Sequence, residues 1–139
     1  MIDVRTHFGL AGYVPAAARV AERLWVGAAV AADDRPWLTP LDLRASDLRD
    51  SIEDPVDSDL VERLADDAER MLAGGATVLI GCTAGLNRSP LVAAVILMRR
   101  GMTATEAIDH IRTARGKGRP DLILCNPTFV SWLLERTAA

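Results

Sequence analysis

Aromatic side chains are scarce in this chain. They make up 4% of 139 residues, while half of all residues are hydrophobic. The core must therefore be aliphatic, built from Leu, Val, Ile and Ala. Cysteine is almost absent, and the two present, Cys82 and Cys125, do not make the disulfide framework of a small secreted domain. The two histidines, His7 and His110, have no spacing to other ligand types, so no metal site is expected. No apolar run approaches the roughly 18 residues expected of a membrane span. Leu10 to Ala18 is short, contains Gly and Pro, and follows a weakly charged start, which is not the pattern of a signal sequence. The net charge is −3, and the densest basic stretch, Arg112 to Arg119, is too short for a nucleic-acid footprint. The expectation is a reducing, cytoplasmic setting with no membrane or nucleic-acid partner and no cofactor. Oligomeric state stays open.

What the chain does have is an α/β pattern. Its length suits one domain over residues 1–139, with an N-terminal arm over 1–21 and a core over 22–136. Pro15 to Ala21 reads as arm or short helix. Arg23-Leu24-Trp25-Val26 reads as a first strand stopped by Gly27. Asp33 to Leu38 reads as a short helix or turn, and Leu41-Asp42-Leu43 as a weak strand. Residues 46–57, rich in Asp, Ser and Pro, read as a surface loop. Asp57 can cap a helix from Ser58 to about Ala73, in which Leu60, Val61, Leu64, Ala65, Ala68, Met71 and Leu72 share one face. Gly74-Gly75 ends it. Thr77 to Ile80 reads as a buried strand, and Leu91 to Met98 as a buried helix that Gly101 ends. Thr103 to Glu106 has capping-box spacing, so a helix should begin near Ala104 and end near Ala114, with Ala107, Ile108 and Ile111 inward. Gly116 to Pro120 reads as a flexible basic connector. Asn126-Pro127 starts a last helix that carries Phe129, Val130, Trp132 and Leu133.

The chemistry concentrates between the buried strand and the buried helix, in Cys82-Thr83-Ala84-Gly85-Leu86-Asn87-Arg88-Ser89. A loop from a strand end to a helix start aims backbone N–H groups at one point, where the helix dipole also favours an anion. A phosphate monoester dianion resists an anionic nucleophile, so a site must neutralise it, align it and attack it. Arg88 can hold two phosphate oxygens with its planar fork. The N–H groups of Thr83, Ala84, Gly85, Leu86, Asn87 and Arg88 can hold the equatorial oxygens through the transition state. Cys82, at a helix N-terminus beside an arginine, is placed to act as a thiolate and form a thiophosphate. The Ser89 hydroxyl can hydrogen-bond that thiolate and ease its departure. Gly85 fits a tight turn. Taken singly, Cys82 reads as a small buried hydrophobe and Arg88 as a surface residue. At this spacing the pair reads as a reaction centre.

This Cys-x5-Arg-Ser loop, within Val78 to Ser89, resembles the signature of the dual-specificity branch of cysteine-dependent protein phosphatases, in a compact bacterial or phage form. Arg23 to Gly27 resembles the family's opening strand, Ser58 to Ala73 its pre-loop helix, Met102 to Arg115 its helix with a Glu-Ala-Ile pattern, and Asn126 to Leu134 its closing helix. The resemblance covers about residues 22–136. It implies a three-layer α/β fold with a central, mostly parallel sheet of four or five strands flanked by helices. It also implies hydrolysis of phosphotyrosine, extending to phosphoserine and phosphothreonine, in a phosphorylated protein or peptide. In this family the proton donor is an aspartate about thirty residues before the cysteine. Asp50, 32 positions before Cys82, matches that place. Asp54, stiffened by Pro55, is the runner-up, and Asp47, Glu53 and Asp57 are further rivals.

The chain departs from the family at two points. Gly81 stands where the family usually has a histidine that orders the loop and activates the thiol, which implies a slower enzyme. The segment from Ala28 to Asp50 is short, which implies a sheet reduced to four strands. Two alternatives stay open at this level: a phosphate-binding pseudophosphatase, and a phosphatase of phosphoinositides or RNA 5′-phosphates. Another Cys-x5-Arg chemistry, sulfur transfer or arsenate reduction, is a third. Outside the loop, Cys125 reads as a buried residue or as a disulfide partner of Cys82. Arg112, Arg115, Lys117 and Arg119 read as a solvated helix end or as guides for an anionic substrate. His110 reads as a partly exposed helix residue. Trp25, Trp37 and Trp132 read as core or lid, with Trp37 at the pocket rim.

Overall fold

The computed structural model describes residues 14–138; His7 and most of the expected arm lie outside them. Four strands form one sheet in the order β1-β2-β4-β3: β1 (Ala17–Ala21), β2 (Leu24–Ala28), β3 (Thr39–Asp42) and β4 (Val78–Cys82). β1 is antiparallel to β2, whereas β2 and β3 both run parallel to β4. The sheet is thus mostly parallel and reduced to four strands, as the short segment after Ala28 implied. Among the described residues there are four helices: α1 (Ser58–Ala73) lies between β3 and β4, and α2 (Arg88–Arg99), α3 (Ala104–Arg115) and α4 (Pro127–Ala138) follow β4. Among the described residues, no helix is long and apolar enough to cross a membrane.

The strand period decides which side each residue serves. Val78, Ile80 and Cys82 of β4, with Leu24 and Val26 of β2, join the main core under the helices. Leu79 points the other way, into a small cluster with Ala17, Ala31 and Leu38. That second face carries a thin layer made by the 3-10 segment Ala29–Asp34. α2 runs through the middle of the main core: every residue from Ser89 to Leu97 is buried, which explains its unbroken apolar sequence. α1 covers its flank with Leu60, Val61, Leu64, Ala65, Ala68 and Leu72. Full burial of each such Leu or Val stabilises by roughly 1.5–3 kcal/mol. Asp57 caps α1 through Leu60 N at 3.1 Å, and the capping box of Thr103 and Glu106 opens α3.

The structure corrects several boundaries. Residues 17–21 form a strand, not an arm or helix: Ala17, Ala18 and Arg19 pair antiparallel with Gly27, Val26 and Trp25, and the register shifts before Ala21 pairs with Leu24. β2 runs through Gly27 to Ala28 because both pair with β4. Leu43 starts a 3-10 turn rather than ending a strand, since Asp42 accepts from Arg44 N and redirects the chain. The short helix expected from Asp33 lies earlier, at Ala29–Asp34. The connector after α3 is ordered by the Arg119–Asp121 ion pair and the 3-10 turn Pro120–Leu122. Trp37 lies just before β3, whose Thr39 pairs with Val78, so it sits at the end of the sheet away from Cys82. There it meets Trp25 edge-on at 5.1 Å rather than forming a pocket rim. Trp132 is half-buried on α4, its indole N–H donating to Ser58 Oγ at 2.9 Å.

Candidate active site

β4 ends on Cys82 and α2 starts on Arg88, so residues 83–87 form the turn between them. The turn closes tightly. Gly85 adopts φ +73°, and a Cβ there would strike the backbone of Gly27 and Ala28. Only glycine combines that conformation with that contact.

The backs of the loop are occupied. Arg115 Nε donates to Gly85 O at 3.1 Å, and its Nη2 to Ala84 O at 3.2 Å. Its Nη1 donates to Pro15 O. Leu124 N donates to Leu86 O at 2.8 Å. Leu124 holds a strained left-handed φ of 53°, and Arg112 fixes that turn by donating to Ile123 O and Leu124 O. Among the described residues, no backbone carbonyl accepts from the N–H groups of Thr83 to Arg88. Such a ring of N–H donors is an anion cradle.

The thiol lies on the floor of this cradle and is buried. Cys82 Sγ is 3.3 Å from Ser89 Oγ, and that hydroxyl also donates to Gly27 O at 3.2 Å. A hydroxyl has one proton, so it can serve the carbonyl beside a thiol and turn to the sulfur beside a thiolate. Arg88 is half-buried at the mouth, with Nη1 donating to Leu48 O at 3.3 Å and Nη2 to Thr83 Oγ1 at 3.1 Å. Burial of Arg115 pushes its guanidinium down to about 10, and the Cys82 charge works against that shift.

Asp50 reaches the loop from the segment over residues 46–57. Its Oδ2 accepts from Asn87 Nδ2 at 3.0 Å, and its Oδ1 from Asn126 Nδ2 at 2.7 Å. Among the described residues, no hydrogen bond joins the Asp47, Glu53, Asp54 or Asp57 side chain to the loop from Cys82 to Arg88. Asp54 and Asp47 line a cavity of about 180 Å³ between this segment and Phe129, and Asp57 caps α1. Cys125 is exposed, not buried; its Sγ lies 3.5 Å from Asn87 Nδ2.

Two sequence readings change here. Arg115 is neither a solvated helix end nor a substrate guide, because it is 2% exposed beneath the loop. The signal was present: Arg115 follows Ala104, Ala107, Ile108 and Ile111 on the buried stripe of α3. Gly81 is a steric requirement as well as a missing histidine. A Cβ there would lie 2.7 Å from Ala29 Cα, so the 3-10 segment packs into the space a side chain would need. His110 is a helix residue as expected, its Nε2 lying 2.6 Å from Val20 O.

Residues 44–138 match the family model of the dual specificity phosphatase catalytic domain. Human DUSP28 superposes with a TM-score of 0.66 at 23% identity, covering 90% of this chain and 97% of its own. The human tyrosine phosphatase-like serine/threonine/tyrosine-interacting protein gives a TM-score of 0.69 at 19% identity, covering 88% of this chain and 95% of its own. OH1 of the Orf virus, a tyrosine phosphatase with triple substrate specificity, gives 0.66 at 20% identity, covering 87% and 86%. Comparison with curated proteins returned no match. Since the family model takes in both the segment that carries Asp50 and the Cys-x5-Arg loop with the four described helices, the chain belongs to the dual specificity phosphatase family.

Proposed function

We propose that the protein hydrolyses phosphomonoesters of phosphorylated proteins or peptides, phosphotyrosine first and phosphoserine or phosphothreonine with it, through a cysteinyl-phosphate intermediate. The observation that carries this reading is the loop wired from behind by Arg115 and Leu124, with its N–H groups bound by no backbone carbonyl among the described residues. The thiolate of Cys82 attacks phosphorus in line while the bond to the leaving oxygen breaks. Arg88 and the loop N–H groups hold the equatorial oxygens, and Asp50 gives its proton to the leaving oxygen. Water then attacks the thiophosphate, the Asp50 carboxylate takes its proton, and the Ser89 hydroxyl stabilises the departing thiolate. The hydrogen bond from Asn87 to Asp50 supports Asp50 over Asp54, because it joins this carboxyl to the phosphate loop itself. The Orf virus neighbour, described as a tyrosine phosphatase with triple substrate specificity, supports the breadth of the substrate class. The same reading treats the chain as a single phosphatase domain.

The test is phosphate release from aryl phosphates and phosphopeptides without added metal. Turnover by the unmodified protein and none by Cys82→Ser is the expected result, together with inhibition by vanadate. Turnover retained in Cys82→Ser would overturn the mechanism. Tight phosphopeptide binding without turnover in the unmodified protein would establish a pseudophosphatase instead.

A further inference from the structure

Three segments meet at the Asp50 carboxyl. One is its own loop, the second the phosphate loop through Asn87, and the third the start of α4 through Asn126. The two asparagines also bind each other: Asn126 N donates to Asn87 Oδ1 at 3.0 Å. Asn126 Oδ1 accepts from Thr128 N at 2.9 Å and Phe129 N at 3.3 Å, capping α4. Its Nδ2 also donates to Ser51 O at 3.1 Å. Both residues are buried, Asn126 at 3% and Asn87 at 9% exposure.

This network leaves neither amide free to turn over. Flipping Asn126 would set its NH2 against two backbone N–H groups, and flipping Asn87 would set its NH2 against Asn126 N. The donors of both must therefore face Asp50. Each carboxyl oxygen accepts about two hydrogen bonds, and the amides take one on each. The remaining positions stay open for the proton that moves to and from the reacting oxygen. As Asp50 gives up that proton, the two N–H donors meet the negative charge that develops on it.

We propose that Asn87 and Asn126 are positioning residues that hold Asp50 against the phosphate loop, so that the proton donor is in place before substrate binds. The proposal rests on Asp50 being the acid, and it adds that the aim of this acid is set by two amides on other segments. Small displacements of a catalytic group cost large factors in rate, so the amides should act through Asp50 on the chemical step.

The experiment compares kcat and KM on a phosphotyrosine peptide, whose leaving group has a pKa of about 10, and on an activated dinitrophenyl phosphate that leaves without help. Asn126→Ser keeps an oxygen to cap α4 and removes the amide donor to Asp50 without adding a second carboxylate beside it; Asn87→Ser is the companion variant. Each should lose about tenfold or more in kcat on the peptide, part of the roughly 10²–10⁴ that general acid catalysis supplies. Each should lose less than about threefold on the activated ester, and KM should change little. In an Asp50→Ala background the Asn126→Ser effect should vanish. Thermal melts of all variants check that folding is retained. Equal losses on both substrates, or losses that persist without Asp50, would overturn the clamp while leaving the acid assignment standing. If Asp50→Ala is itself unselective between the two substrates, the acid assignment falls and the clamp falls with it.

Discussion

The loop from Cys82 to Arg88 and the segment that carries Asp50 meet through Asn87, yet they are held by different means. Residues 83–88 are fixed through their own backbone: a strand before, a helix after, and carbonyls bound by Arg115 and Leu124 from below. Residues 46–57 are largely exposed and carry little regular structure. They are tethered mainly by side chains from α4 and the phosphate loop: Asn126 to Asp50 and Ser51, Thr128 to Ile52, and Asn87 to Asp50. The first loop is part of the core and the second is strapped onto it. Damage to the first should therefore cost stability and phosphate binding together, whereas damage to the second should cost rate with little loss of fold.

The largest effect tests the buried side of that contrast. Arg115→Met keeps much of the volume but leaves the carbonyls of Ala84 and Gly85 without donors in the interior. At roughly 1–3 kcal/mol for each stranded group, urea unfolding should show a loss of about 3 kcal/mol. Vanadate affinity should fall at least about tenfold as the cradle relaxes. Retained affinity would show that the loop keeps its shape without its backing.

Gly81→His asks whether the missing family histidine can be restored. The new side chain would meet Ala29 at van der Waals overlap, so stability should fall by about 1–3 kcal/mol through overpacking, with no gain in kcat. A faster, equally stable variant would show that the 3-10 segment Ala29–Asp34 yields easily. Thr128→Val removes the 2.7 Å bond to Ile52 O on the exposed loop. Its cost in unfolding free energy should be about 1 kcal/mol or less, with a loss of kcat confined to poor leaving groups. A loss as large as that of Arg115→Met would erase the contrast between the two loops.

The two loops also differ in how far residue order reveals them. The Cys-x5-Arg-Ser spacing, the apolar strand before it and the all-buried helix after it are local patterns; the structure carries the strand two residues further, to Cys82, and starts the helix three residues earlier, at Arg88. Capping by Asp57 and Thr103 was equally legible, because a cap is read by a neighbour three residues on. Asp50 is singled out in the sequence only by its distance from Cys82 and by family likeness; nothing in its own segment sets it apart from Asp47 or Asp54. Its distinction lies in Asn87 and Asn126, which are 37 and 76 residues away along the chain. The strand at Ala17–Ala21 escaped notice because a short run of Ala, Arg and Val has no strong period of its own. Pairing with β2 decides its state.

Local chemistry thus determined the phosphate loop, the helix limits and the family, since each depends on residues within a few positions of one another. Tertiary structure decided what holds the loop and what Asp50 touches. Arg115 becomes a buried brace only when α3 packs beneath the loop, and Asp50 becomes distinct only when α4 delivers Asn126 to it. Those choices rest on hydrogen bonds between distant segments, which desolvation makes obligatory once the groups are buried and which no short stretch of sequence encodes.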